Sequence, residues 1–279
     1  MRKIVLTVTM LMGIMAASSY AQEKIVYVHD TVFVEKPSVE TVEDSPTKNN
    51  WGAKLKESNF HLGLDLQTKY IWRGIEMMTE DSCPVVFPCI NYQWNGLYVY
   101  AMGGYAFNGK YSELDLGISY TWKGVTIGFN DYFYPNNYDA YDKYFTGGKE
   151  SRHWLEACLT YAPEKVPLWV TVSNFFYSPT DIYINDIGEA KKAYSTYFEL
   201  GTYYDFLRNN RIALAVGMTP YASWYNNYQQ NFSVCNVDLK YTYTVHFKNT
   251  DWTLPLSGEF IYNPVFEKPY FNIIASLAF

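Results

Sequence analysis

From residue 59 onward apolar and polar side chains alternate in short runs, and this alternation is the main structural signal in the chain. In the stretch "HLGLDLQTKYIWRG" and the residue before it, Phe60, Leu62, Leu64, Leu66, Tyr70 and Trp72 share one parity. His61, Asp65, Gln67, Lys69 and Arg73 share the other. Successive side chains of a strand point to opposite faces, so one face is apolar throughout and the other carries three charges. A wall between lipid and an aqueous interior has this pattern. A half-buried strand of a soluble sandwich alternates too, so one run does not decide.

Repetition decides more. Leu114, Leu116, Ile118, Tyr120 and Trp122 oppose Glu113, Asp115, Gly117, Ser119 and Thr121; Val237, Leu239, Tyr241, Tyr243 and Val245 oppose Asp238, Lys240, Thr242 and Thr244. Tight-turn residues at Asn95-Gly96, Lys123-Gly124, 208–210 and 248–250 alternate with longer polar segments at 76–84, 135–151, 178–193 and 222–231. Short turns on one side and long loops on the other are the habit of outer-membrane barrels. Twelve strands are predicted, near 59–75, 85–94, 97–107, 112–122, 125–134, 152–161, 168–177, 195–206, 211–221, 232–245, 252–262 and 269–279. Their lengths suit a tilted bilayer crossing, and an even number brings both ends of the barrel to the same side.

The flanks extend this picture. Residues 1–21 combine a basic start, an apolar run and small residues before Gln22, the pattern of a secretory signal. Its removal would leave 279 minus 21, or 258 residues. Residues 22–57 are expected to be a periplasmic tail: "EKIVYVHDTVFVEK" can form a short strand, whereas "PSVETVEDSPTKNN" has too little apolar surface to offset its ordering entropy. Residues 58–279 make the barrel, whose last strand ends in Phe279. Such an aromatic end looks like the signal read by the barrel assembly machinery, which, with outer-membrane lipid and lipopolysaccharide, is an expected partner of a monomeric barrel. Mean hydropathy is -0.21, and 19% of residues are aromatic, with 28 tyrosines. The excess of aromatics fits the girdles at the two membrane interfaces.

"TKYIWRGIEM", Pro84, the Asn95-Gly96 turn and "SELDLGISYTW" together resemble the uncharacterised Gcw_chp family of Gram-negative outer-membrane proteins. The resemblance covers roughly residues 58–134. It implies an outer-membrane barrel and no particular activity.

The chemistry expected of the chain is that of a lumen. Carried along all strands, the inward parity collects Asp65, Glu113, Asp115, Glu156, Glu199, Asp205, Asp238 and Glu259 against Lys69, Arg73 and Lys240. One sign of charge along a wall concentrates counter-ions, so a narrow pore for small polar or cationic solutes is the expected function, ahead of a non-conducting structural or adhesion barrel and of a lipid-modifying enzyme. Arg73 and Lys69 are expected to pair with carboxylates such as Asp65, Glu113 or Asp115. Ser151-Arg152-His153 has the spacing of a nucleophile and base, but no Asn or Asp in that stretch is placed to orient the imidazole, so no catalytic residue is expected. The four histidines lack metal-ligand spacing, and no metal or cofactor is expected. In an oxidising compartment Cys83 and Cys89 can bridge, with Cys158 and Cys235 as alternative partners. A net charge of -6 without a basic stripe argues against nucleic acid.

Overall fold

The computed structural model describes residues 25–28, 31–34, 59–78, 82–135, 143–248 and 252–278. The expected signal at 1–21, most of the tail at 22–57 and the terminal Phe279 lie outside the described residues. Within the first 45 residues, a unit of its own, Ile25–Val28 pairs antiparallel with Thr31–Val34.

The second unit is a closed antiparallel barrel of twelve strands. In chain order they are β1 (Phe60–Gln67), β2 (Val85–Trp94), β3 (Leu97–Ala106), β4 (Ser112–Trp122), β5 (Val125–Phe133), β6 (His153–Tyr161), β7 (Leu168–Tyr177), β8 (Thr196–Phe206), β9 (Asn210–Thr219), β10 (Ser233–His246), β11 (Thr253–Asn263) and β12 (Lys268–Ala278). Each strand pairs with its successor, and β12 returns to β1 through Ile274 opposite Gln67 and Leu277 opposite Leu64. Closure leaves no edge strand with unpaired backbone groups.

Alternation then fixes the two faces. Ile118, Leu200, Leu214, Leu239, Phe260 and Phe271 stand exposed on the outer wall, while Asp115, Glu156, Ser173 and Asn272 are buried inside. This is the reverse of a water-soluble protein and is stable where lipid surrounds the wall. The fold is a transmembrane antiparallel β-barrel.

One end carries tight turns. Asn95 and Gly96 both have positive φ, 48° and 84°, as do Lys123 and Gly124 at 49° and 79°, the geometry of a two-residue hairpin whose twist matches its strands. The other end carries the long connections 68–84, 134–152, 178–195 and 220–232.

The first strand is shorter than its sequence pattern suggests. β1 stops at Gln67, because the Asn272 side chain takes over the role of a ladder partner: its Oδ1 accepts from the Lys69 N–H and from Thr68 Oγ1, each at 3.0 Å. The chain leaves the sheet there and forms a ribbon, Ile71–Trp72 against Ile75–Glu76. Tyr70 and Trp72, expected on the lipid face, are therefore buried at 6% and 3% exposure.

Inside the wall, aromatic rings lie across glycines of neighbouring strands. A methyl group on Gly201 would come within 1.9 Å of the Trp169 ring, one on Gly117 within 2.0 Å of Tyr100, and one on Gly217 within 2.1 Å of Tyr197. Gly201→Val should expel the Trp169 indole and cost about 1–3 kcal/mol by overpacking, read as a lower denaturant midpoint of the micelle-bound protein. An unchanged midpoint would show that the ring is free to move aside.

Candidate functional site: the inserted hairpin and the charged lumen

The ribbon after β1 turns through Arg73 and Gly74, with φ of 49° and 81°. Gly74 is required twice over. Its φ is left-handed, and a Cβ there would meet the Cys235 carbonyl oxygen at 2.4 Å. Its own carbonyl accepts from Asn263 Nδ2 at 2.9 Å, so the turn is anchored on β11 and β10, two and three strands round the wall from its origin.

Arg73 at this tip reaches the opposite wall. Its guanidinium donates twice to the Glu156 carboxylate, with Nη2 to Oε2 at 3.2 Å, and further to Tyr225 Oη at 2.6 Å and Ser173 Oγ at 3.2 Å. It lies 4.6 Å from the Trp72 ring centroid and 4.8 Å from that of Tyr197. Glu156 is fully buried and also accepts from Tyr132 Oη at 2.8 Å. The expected pairing of Arg73 with Asp65, Glu113 or Asp115 is corrected: the hairpin carries the guanidinium off the sheet and over to β6. Lys69 pairs with Glu76 at the base of the same hairpin, at 3.3 Å.

Tyr225 reaches the site from the loop after β9. There Ser223 caps a short 3₁₀ turn, Trp224–Asn226, accepting from the Tyr225 N–H at 3.2 Å. Tyr225, Tyr197, Tyr132 and Phe175 are all at most 2% exposed, and they fill the loop end of the barrel around the ion pair.

The other predicted lumen residues fall at three levels. Glu113 and Asp115 lie on β4 near the loop end, both buried; Glu113 accepts from Tyr111 Oη at 2.7 Å. Glu199 accepts from Trp169 Nε1 at 2.6 Å and Tyr197 Oη at 2.8 Å. Asp65 is buried and Asp238 half-buried in the middle strand positions, and Lys240 pairs with Glu259 at 3.3 Å. Asp205 lies near the turn end and takes two bonds from Arg211, at 2.5 and 2.8 Å.

Two signals went unread in the sequence. Arg211 shares the inward parity of Asp205 and belongs on the basic side of the lumen balance. Tyr111-x-Glu113 and Tyr197-x-Glu199 place a hydroxyl on the same strand face as a carboxylate two residues on. Many tyrosines that composition assigns to membrane girdles are instead the hydrogen-bond donors of the lumen.

The bridge considered for Cys83 and Cys89 is absent, and all four cysteines are free thiols. Cys89 is buried within β2, and about 16 Å of extended chain separates it from Pro84, beyond disulfide reach of Cys83. The Ser151 hydroxyl does not pair with the His153 ring as a nucleophile would with its base. Asp131, on the neighbouring β5, does approach His153 Nδ1 at 2.6 Å, an orienting carboxylate that the local sequence did not reveal. Nε2, however, faces the Tyr144 carbonyl at 2.5 Å, and Ser151 Oγ accepts from the His153 backbone N–H. Tyr144 Oη donates to Asp131, and burial together with that bond pushes the Tyr144 phenol up to about 12. The group closes the outer rim where β5 meets β6.

Wall and interior together define a membrane-spanning β-barrel with an acid-rich, tyrosine-lined lumen and an inserted hairpin. No family model and no curated protein matches the chain. Among solved structures, the NanC porin aligns over 79% of this chain and 98% of its own, at 10% identity and a TM-score of 0.43. OprB of Pseudomonas putida aligns over 82% and 96%, at 8% identity and 0.31. For OccK1 (OpdK) of Pseudomonas aeruginosa the values are 74% and 59%, 9% and 0.33.

Proposed function

We propose that the protein is a narrow, cation-favouring pore of a Gram-negative outer membrane, constricted at its loop end by the hairpin that carries Arg73. The observation that carries this reading is the closed wall itself, apolar outside and charged inside. With Arg211 added, eight acidic positions face four basic ones, Lys69, Arg73, Arg211 and Lys240. Arg73, Arg211 and Lys240 pair with Glu156, Asp205 and Glu259, and Lys69 pairs with Glu76, so by count the acidic positions of the wall outnumber the basic ones. Such a wall concentrates cations and weakens in selectivity as salt screens it. The pore is monomeric, is surrounded by lipid and lipopolysaccharide, and is inserted by the barrel assembly machinery through its C-terminal strand. The kinship with Gcw_chp proteins suggested by residues 58–134 belongs to the same proposal.

A planar-bilayer recording across a salt gradient tests this reading. The reversal potential should have the sign of cation selectivity and should shrink as salt rises on both sides. An anion-selective sign would refute the lumen assignment. A second reading, a non-conducting structural or adhesion barrel, is favoured by the filled loop end at Tyr132, Phe175, Tyr197 and Tyr225; absence of any current would select it.

A further inference from the structure

At the loop end a cavity of about 260 Å³ is walled by Trp72, Met77, Tyr134, Trp154, Phe175 and Trp224. The segment after β1, the ends of β5, β6 and β7, and the loop after β9 each supply part of it. Its rings meet at steep angles. Trp154 and Phe175 lie 4.9 Å apart at 79°, Trp154 and Trp224 6.1 Å apart at 60°, and Trp72 and Trp224 5.7 Å apart at 41°. The rings are tilted or edge-on to one another rather than stacked into one slab.

Three ligand classes suit aromatic walls, and the surroundings separate them. A sugar needs hydrogen-bond partners for most of its hydroxyls, since those left unpaired on burial are costly. These side chains offer only a phenol and three indole N–H groups. An aromatic anion needs a cation at hand, but among the described residues no lysine or arginine lines the cavity, and the Arg73 guanidinium behind Trp72 is bound by both oxygens of Glu156. An organic cation needs neither. The faces of Trp, Tyr and Phe attract positive charge, and quaternary ammonium groups are held by aromatic cages of this kind. The volume lies below the range of about 300–1,000 Å³ for drug-sized pockets, which suits a small head group.

We propose that this cavity is a binding site for small methylated-ammonium compounds, the solute class that the pore selects at its outer mouth. For its sign of charge the proposal rests on the cation-favouring reading of the lumen, but the site itself is tested by binding and not by conduction.

The probe is choline, with its uncharged isostere 3,3-dimethylbutan-1-ol as comparison, titrated against tryptophan fluorescence of the full-length protein in detergent micelles. Choline should perturb the emission saturably and bind roughly tenfold tighter than the neutral isostere. Trp154→Ala and Trp224→Ala should each weaken choline binding by a similar factor. If Trp154→Ala fails to fold, the loop variant Trp224→Leu, judged by its unchanged gel mobility before boiling, serves in its place. Equal affinity for the isostere, no saturable response to choline, or undiminished binding by the folded variants would overturn the proposal. A protein that binds choline but passes no current would refute the pore and leave the site standing; one that conducts cations but does not bind choline would do the reverse.

Discussion

Arg73→Ala is expected to destabilise the folded barrel by about 3–5 kcal/mol, because it strands the Glu156 carboxylate in a position with no access to solvent. The loss exceeds that of an ordinary surface pair, which is worth about 1 kcal/mol at most. Removing the guanidinium also deprives Tyr225 and Ser173 of a donor and the Trp72 and Tyr197 rings of a cation. Arg73→Lys should recover only part of the loss, since an ammonium cannot make the two-pronged contact with Glu156. The double variant Arg73→Ala with Glu156→Gln should be more stable than the sum of the two single changes, because the uncompensated charge is gone. Guanidinium unfolding of the micelle-bound protein, followed by tryptophan emission, measures all of these. A loss below 1 kcal/mol for Arg73→Ala would mean that Glu156 is solvated from the lumen.

Leu214→Arg should cost about 2–4 kcal/mol, while Val125→Arg should cost about 0–1 kcal/mol. Both side chains are exposed on the outer wall, at 44% and 36%, so solvent exposure alone predicts similar, small effects. Leu214 sits at the middle of β9 and Val125 at the first residue of β5, next to the turn end. Only a lipid layer whose centre coincides with the middle of the strands separates the two. The comparison, made by reversible unfolding in lipid vesicles, locates the membrane on the barrel. Equal effects at the two positions would place the outer wall in water.

The Arg73 hairpin shows where reading the sequence stops. "YIWRG" continues the even and odd parity of the strand before it, so periodicity extends β1 to residue 75. The decisive event is the Asn272 side chain taking the Lys69 N–H, about 200 residues away in sequence. Arg73-Gly74 is a turn dipeptide in structure, but with an arginine at its first position it lacks the asparagine or aspartate that flags such turns. Asp131 and His153 are a similar case, joined only because β5 and β6 pair side by side.

The sequence by itself determined the barrel. Period-two alternation over twelve segments, short turns alternating with long loops and charged inward positions specify a closed wall and its two faces, because side-chain direction in a strand is a local property. The parity of Glu113, Asp115, Glu156 and Glu259 followed from the same rule. What only the tertiary structure decided is the interior: that the segment after β1 folds into the mouth, that Glu156 is the partner of Arg73, that Trp72, Trp154 and Trp224 converge on one cavity, and that tyrosines hold the lumen carboxylates. These contacts join residues on different strands and loops. Each is set by which side chains a closed cylinder brings face to face, and no local pattern encodes that distance.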